Sequence, residues 1–310
     1  MASPLTSSQF VRLLDERLTL VEENKWMELS SMIPTLYNVQ STNSAWEEYY
    51  SVGAVPDIPE FNGKISYLSI APGYHTKIEP KEYSGGLQFE RKLIDDKKYS
   101  VLDSRVEGLV TAAHRTQEKL GVRPFAYSTS TAFDFMTSEE GVALVSDSHS
   151  TKSGTSTASG FDNAGTTALS KTALAAARLA MKQFRNDISE RIEISENLAI
   201  ICPENLVDTA REIVGTPAGY EPTTTSANQI NVAYNRYKII PYPRLDDYDT
   251  NNWFLVDLDA MKKDLLWLNR ITPETQHTVD FDTYIMKAAI YFRVAFGWKD
   301  WRWIYGSIVA

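Results

Sequence analysis

Between Asp95 and Leu120 the residues Tyr99, Leu102, Val106, Leu109, Val110, Ala113, Gln117 and Leu120 recur at steps of three and four. That spacing places them on one face of an α-helix. Asp95 and Asp96 stand at the positive end of its dipole, and Gly121 supplies a stop. At 1.5 Å per residue the helix is a rod of roughly 35–40 Å. A rod of that length usually forms the backbone of a domain.

What flanks the rod is uneven. A helix is expected after Thr6, with Gln9 as its capping partner and Phe10, Leu13, Leu14, Leu18 and Val21 on one face. From Leu29 to Glu60 the periodicity lapses. KISYLSI (Lys64–Ile70) and LQFERKLI (Leu87–Ile94) then read as strands separated by APGYHTKIEPKEYSGG, a run full of turn formers. This predicts a long two-stranded excursion. Ser146–Thr167 has the composition of a flexible surface loop, and the alanine-rich stretch Leu169–Phe184 that follows is strongly helical. LAIIC (Leu198–Cys202) with Pro203 and the helix capped by Gly215 forms a strand–helix unit, and YKIIPYP and WFLVDL are further strands. The chain closes with Met286, Ala288, Ile290, Phe292, Val294 and Phe296 at period two, then GWKD, then Trp301, Trp303 and Tyr305. A β-hairpin packed on the spine helix is the expected structure, with Trp298, Trp301 and Trp303 as core rather than as a ligand cage. The fold class is α+β.

Several kinds of chemistry are tested by these residues and fail. GFDNAGTT (Gly160–Thr167) has the glycine spacing of a phosphate loop but Thr166 stands where a lysine is needed. DDYDTNN begins like a calcium loop, yet Asn252 and Leu258 occupy the positions that require glycine and glutamate. The four histidines, His75, His114, His149 and His277, have no metal-ligand spacing, and Asp147 with His149 makes at most a two-ligand set. His114 is expected to be solvated. No G-x-S-x-G elbow is present. The lone cysteine, Cys202, cannot form an internal disulfide, and after LAIIC it reads as a small buried residue. With 31 basic and 40 acidic residues, a net charge of −9, the chain has no overall nucleic-acid footprint. No apolar run approaches the ~20 residues of a membrane span, and the N-terminal stretch lacks the pattern of a secretory signal. No catalytic, metal or cofactor site is expected.

Four stretches carry a resemblance. AWEEYYSVGAVPDIPEFNGK (Ala45–Lys64), LQFERKLIDDKKY (Leu87–Tyr99), ALVSDSH with the N-A-G and ALSKTALAAARLAM that follow it, and FRVAFGWKDWRWIYGS near the end resemble, in order, segments of tailed-phage major capsid proteins, especially the head subunits of transposing phages. The resemblance implies an N-terminal arm at 1–60, an extended loop at 61–94 and the spine helix of a peripheral domain at 95–124. It implies an axial domain, with part of the peripheral one, at 125–275 and a C-terminal hairpin completing the peripheral domain at 276–310. It also implies self-assembly as pentamers and hexamers into an icosahedral shell around double-stranded DNA, which a net acidic subunit would not hold to its wall. A portal and decoration proteins are implied partners. Only 44 residues precede Ala45, so a separate scaffolding protein and no large N-terminal cleavage are expected.

The segments 29–60 and 61–94 lack a core of their own and suit arms laid across neighbours. Their charges are opposed. Residues 1–60 hold three basic and nine acidic residues, and residues 61–98 hold seven basic and five acidic. Lys64, Lys77, Lys81, Arg91 and Lys92 in the loop, with Trp298, Trp301, Trp303 and Tyr305 at the C-terminus, are the residues expected to serve structure and assembly. An encapsulin-like shell around a protein cargo shares the implied fold. A small-molecule enzyme with the loop 146–167 as a lid is the alternative from another class.

Overall fold

The computed structural model describes residues 7–90, 99–215, 231–280 and 285–309, with side chains from residue 17 onward. In chain order the helices are α1 (Ser7–Glu28), α2 (Ile33–Leu36), α3 (Tyr99–Ala126), α4 (Lys171–Met181), α5 (Val207–Gly215) and α6 (Leu258–Asp264). The strands are β1 (Asn38–Ser41), β2 (Glu47–Val52), β3 (Pro72–Ile78), β4 (Lys81–Glu90), β5 (Met136–Ser138), β6 (Ala164–Gly165), β7 (Leu198–Cys202), β8 (Lys238–Pro241), β9 (Trp253–Asp257), β10 (Leu265–Val279), β11 (Ile285–Trp298) and β12 (Ile304–Ser307).

They form three sheets. The first is four-stranded, ordered β1-β10-β11-β4, and is built on the long antiparallel pair β10–β11. The second has five strands, β6-β12-β9-β7-β8, with β7 parallel to β8 and antiparallel to β9. The third is the small sheet β2-β3-β5.

The spine helix α3 buries Leu102, Val106, Leu109, Val110, Ala113 and Leu120, as its spacing predicts. It does not stop at Gly121. A Cβ there would stand 3.1 Å from Ile33 Cγ1 and 3.5 Å from the Tyr242 hydroxyl, and the Tyr37 hydroxyl donates to the Gly121 carbonyl at 2.6 Å. The glycine serves close packing inside the helix, and Pro124 sits in the last turn, where the loss of one hydrogen bond costs least. Beyond it Phe125 meets Tyr242, Phe254 and Trp303 edge-on at 6.2, 5.5 and 6.3 Å, which fastens the spine to the five-stranded sheet.

Two other expectations are corrected. Lys64–Ile70 forms no strand. The supposed turn-rich connector instead supplies β3 and most of β4, with Pro72 tolerated at a strand start and Pro80 in the two-residue link. β3 pairs with β2 and β5 while β4 pairs with β11, so the two-stranded excursion is absent among the described residues.

Nor do the last strands form a hairpin: β11 lies in the four-stranded sheet and β12 in the five-stranded one. The GWKDW stretch is the crossover between them. It is held by the Lys299 amide donating to the Asp264 carbonyl at 3.0 Å. Arg302 contributes too, forking onto Asp300 at 2.8 and 2.9 Å and donating to the Arg185 carbonyl at 2.7 Å.

Residues 29–41 also find cover in their own chain. Leu36 and Tyr37 are fully buried, and Lys262 donates to the carbonyls of Pro34 and Tyr37 at 2.6 and 2.8 Å. Helix α1 is tied down by the Arg17–Asp103 ion pair at 2.6 Å, and by Glu22, which accepts from the Thr275 hydroxyl and faces His277 at 3.1 Å.

Candidate assembly surface

Between Val52, which ends β2, and Pro72, which starts β3, the chain carries no regular secondary structure, and the two ends of this segment meet. The Gly53 amide donates to the Ala71 carbonyl at 3.0 Å, and a Cβ on Gly53 would come within 2.3 Å of that same oxygen. The next amide, of Ala54, donates to Asp187 Oδ1 at 2.9 Å. Glycine is required at the neck, and the loop beyond it is left outside the body. Of the 16 residues Val55–Ile70, 14 are exposed.

This exposure is unusual in kind. Val55, Ile58, Phe61, Ile65, Tyr67 and Ile70 are all exposed, Ile58 at 88% and Tyr67 at 94%. Next to them Trp46, Tyr50 and Val52 are exposed as well. Single exposed hydrophobes are ordinary; a run of this density is a surface waiting for a partner. Loops longer than about 12–15 residues without structure of their own are commonly functional.

The candidate residues do not gather at one place. Lys64 lies on the exposed loop. Lys77, in β3, places its ammonium 4.7 Å over the Trp46 ring and 3.7 Å from Glu79. Lys81, at the start of β4, lies 3.9 Å from the same carboxylate. The structure therefore brings Lys77 and Lys81 together around Glu79, inside one chain. Arg91 and Lys92 lie outside the described residues.

Trp298, Trp301 and Trp303 are all buried, but in three surroundings. Trp298 meets Phe133 edge-on at 5.4 Å. Trp301 stacks on His149 at 4.0 Å and meets Phe184. Trp303 meets Phe125, and its indole N–H donates to the Asp300 carbonyl at 2.7 Å. Tyr305 is half-buried against Gly165. Of the ring contacts these residues make among the described residues, that of Trp303 with Phe125 is the one to the spine helix.

Other sites that the sequence raised resolve into structure. The Ser146–Thr167 loop is pinned at both ends, because buried Asn163 accepts from the Ser146 amide at 2.8 Å and donates to the carbonyls of Leu144 and Ile304 at 2.9 and 3.2 Å. His149 is buried there, 3.1 Å from Glu140. A cleft does run beside Ser150–Lys152, as the lid reading requires, but polar groups on its wall are already engaged: Tyr74 bonds Ser150 at 2.9 Å and Lys152 donates to Glu139 outside it. Hydrogen bonds from Lys152 and then His75 hold the Glu139 carboxyl down to about 2. His114 is not solvated; it packs near Glu118 and edge-on to Trp26. Burial, helped by Glu204 and Asp246, pushes the Cys202 thiol up to about 12, which leaves it inert. Among the described residues no group of three or more potential metal ligands exists, and no helix is long and apolar enough to cross a membrane.

Three solved structures share this architecture. The chain is similar to the procapsid protein of bacteriophage JBD30 at 12% identity, covering 99% of this chain and 77% of that one with a TM-score of 0.51. For the mature capsid of bacteriophage PhiM1 the figures are 9%, 91%, 88% and 0.56, and for the capsid of the native GTA particle 11%, 91%, 92% and 0.54. At such identities the likeness establishes the tailed-phage capsid fold. No curated protein matches the sequence. A family model of phage capsid proteins matches residues 74–307, well over half of the sequence, and the chain belongs to that phage capsid family as a structural subunit of the phage head.

Proposed function

We propose that this chain assembles with itself as pentamers and hexamers into an icosahedral shell that encloses double-stranded DNA without reading its sequence. The observation that carries the reading is the apolar loop Val55–Ile70, held out from the body by its pinched neck. A side chain such as Phe61 or Tyr67 has no reason to face water unless a second surface covers it. Each large apolar residue covered in this way contributes about 1.5–3 kcal/mol. The net charge of −9 keeps the inner wall from holding the packaged nucleic acid.

On this reading residues 1–60 act as arm, with the apolar loop spanning the end of the arm and the start of the 61–94 segment. The spine helix with the four-stranded sheet forms the peripheral domain, and the five-stranded sheet forms most of the axial one. The last strand completes the axial sheet rather than the peripheral domain, because β12 pairs with β9 and β6. A separate scaffolding protein, a portal and decoration proteins are the expected partners, assembly takes place in the host cytoplasm, and the subunit's role is structural rather than catalytic. Negative-stain electron microscopy of the purified protein, alone and with a scaffolding protein, tests the reading. Rings, sheets or closed polyhedra are expected; only small discrete particles under both conditions would overturn it.

A further inference from the structure

The five-stranded sheet is electrically polarised along its parallel pair. At the end where β7 and β8 begin stand Arg236 and Lys238, with Lys182 and Arg178 of α4 beside them and Lys171 lining the same cleft as Arg178 and Arg236. Glu196 is shared by Lys182 at 2.9 Å and Arg236 at 3.3 Å, and those two cations hold its carboxyl below the ordinary range. Asp257 and Asp259 stand at the same end, with Lys263 and Lys238 near Asp259, and Glu212 lines a cleft with Lys171. The six cations Lys171, Arg178, Lys182, Arg236, Lys238 and Lys263 outnumber these four carboxylates, which leaves the end weakly positive. Leu179, Val232 and Tyr234 lie exposed among these cations.

The opposite end, where β7 and β8 finish, carries Glu204, Asp208, Asp246, Asp247 and Asp249 against Arg244 and Arg211. Asp246 accepts from the amides of Glu204 and Asn205 at 2.9 and 3.4 Å, and Asp249 from that of Asn251 at 2.8 Å. These are backbone caps, which fix the carboxylates without cancelling their charge. Tyr127 and Tyr248 pair edge-on at 5.3 Å and lie exposed beside them. The strands that separate the two ends span about 13–16 Å, beyond the ~8 Å screening length at physiological salt. The ends therefore act on a partner as separate patches of opposite sign, each with an apolar component.

A body with complementary patches at opposite ends is suited to head-to-tail contact. Head-to-tail contacts close into rings when the rotation between neighbours divides a full turn, as in pentamers and hexamers, and give open filaments otherwise. We propose that these two ends form the subunit–subunit contact within a ring, the basic end of one copy (Lys171, Arg178, Arg236, Lys238) receiving the acidic end (Glu204, Asp246, Asp247, Asp249) of the next. The inference rests on the self-assembly reading above and adds to it which surfaces meet and in which sense.

The test uses the full chain. Lys171→Glu with Arg236→Glu reverses one end, Glu204→Lys with Asp247→Lys reverses the other, and a quadruple variant carries all four. Assembly is followed by sedimentation and electron microscopy as protein and salt concentrations vary, and circular dichroism checks each fold. Each double variant is expected to need about tenfold more protein to assemble, as two lost ion pairs of about 0.5–1 kcal/mol would require. The quadruple variant is expected to recover. An equal mixture of the two doubles should recover only even-membered rings, since alternating copies match all around a hexamer but not around a pentamer. Folded double variants that assemble like the unaltered chain, or a folded quadruple variant that does not recover, overturn the proposal and leave self-assembly intact. If the basic-end double fails to fold, Lys238→Glu replaces it, and if the acidic-end double fails, Asp249→Lys replaces it, under the same criteria. Failure of the unaltered chain to assemble removes both readings.

Discussion

Trp303 is fully buried, meets Phe125 of the spine helix edge-on at 6.3 Å, and donates its indole N–H to the Asp300 carbonyl at 2.7 Å. It therefore joins the spine, the five-stranded sheet and the crossover between sheets. Trp303→Ala should lower the unfolding free energy of the unassembled protein by about 3–5 kcal/mol in urea titration, from lost contact area and the cavity left behind. A change under 1 kcal/mol would contradict that placement. Gly121 makes a second point at this scale. As a letter in the sequence it reads as a helix stop; in the fold it is the thin spot where Ile33 and Tyr242 approach the spine. Local propensity could not distinguish these roles, because the deciding atoms are distant in sequence.

At the scale of elements the crossover sets one titration. Asp264 ends α6, where the dipole disfavours a carboxylate. Burial, followed by repulsion from Asp300, raises its carboxyl from an ordinary 3.8 to about 6, against the smaller opposing pull of Lys299, Lys263 and Arg302. The folded protein holds this proton more tightly than the unfolded chain. Its contribution to stability is thus fully present below pH 3.8 and lost as pH rises through about 6. Asp264→Asn should be more stable than the unaltered chain at pH 7.5, by about 1–2 kcal/mol of unfolding free energy after allowance for partial solvent screening, and the two should converge near pH 4. A difference that persists unchanged at pH 4 would rule out titration as the cause.

The elements themselves were unevenly legible. The periodicities of α3, α4, β7, β9 and β11 survive into the structure because each buries one continuous face or run. The hairpin expected at the C-terminus fails because period two marks strands but not their partners. β11 pairs with β10, just before it, and with distant β4, while β12 pairs with β9 and β6 in the other sheet. β3 was hidden for a similar reason: prolines and glycines suggested turns, while pairing with β2 and β5 decided the outcome. The apolar loop was legible in part. The lapse of periodicity across 29–60 showed a region without a core, but Lys64–Ile70 read as a strand, and only the Gly53–Ala71 neck and the burial of residues 29–41 locate the exposed portion at 55–70.

For the whole molecule, the same separation of body from loop yields the sharpest expectation. Ile58, Phe61 and Tyr67 are exposed in the isolated chain, so replacing all three by serine should leave the unfolding free energy of the unassembled subunit within about 0.5 kcal/mol of its original value. In an assembly the account reverses. If a neighbouring copy covers these side chains, each substitution forfeits about 1.5–3 kcal/mol per subunit, and the loss repeats at every contact in the shell. Ile58→Ser, Phe61→Ser, Tyr67→Ser together should therefore produce a soluble, normally folded subunit that forms no shells at concentrations where the unaltered chain does. Because the lost interaction is apolar, raising the salt concentration should not reproduce this defect, whereas it should weaken contacts made by charge. A triple variant that assembles at the original concentration would show that the loop faces water in the shell as well, and a triple variant that unfolds would show that it belongs to the body. Normal folding with failed assembly is the one result that assigns the loop to a neighbour.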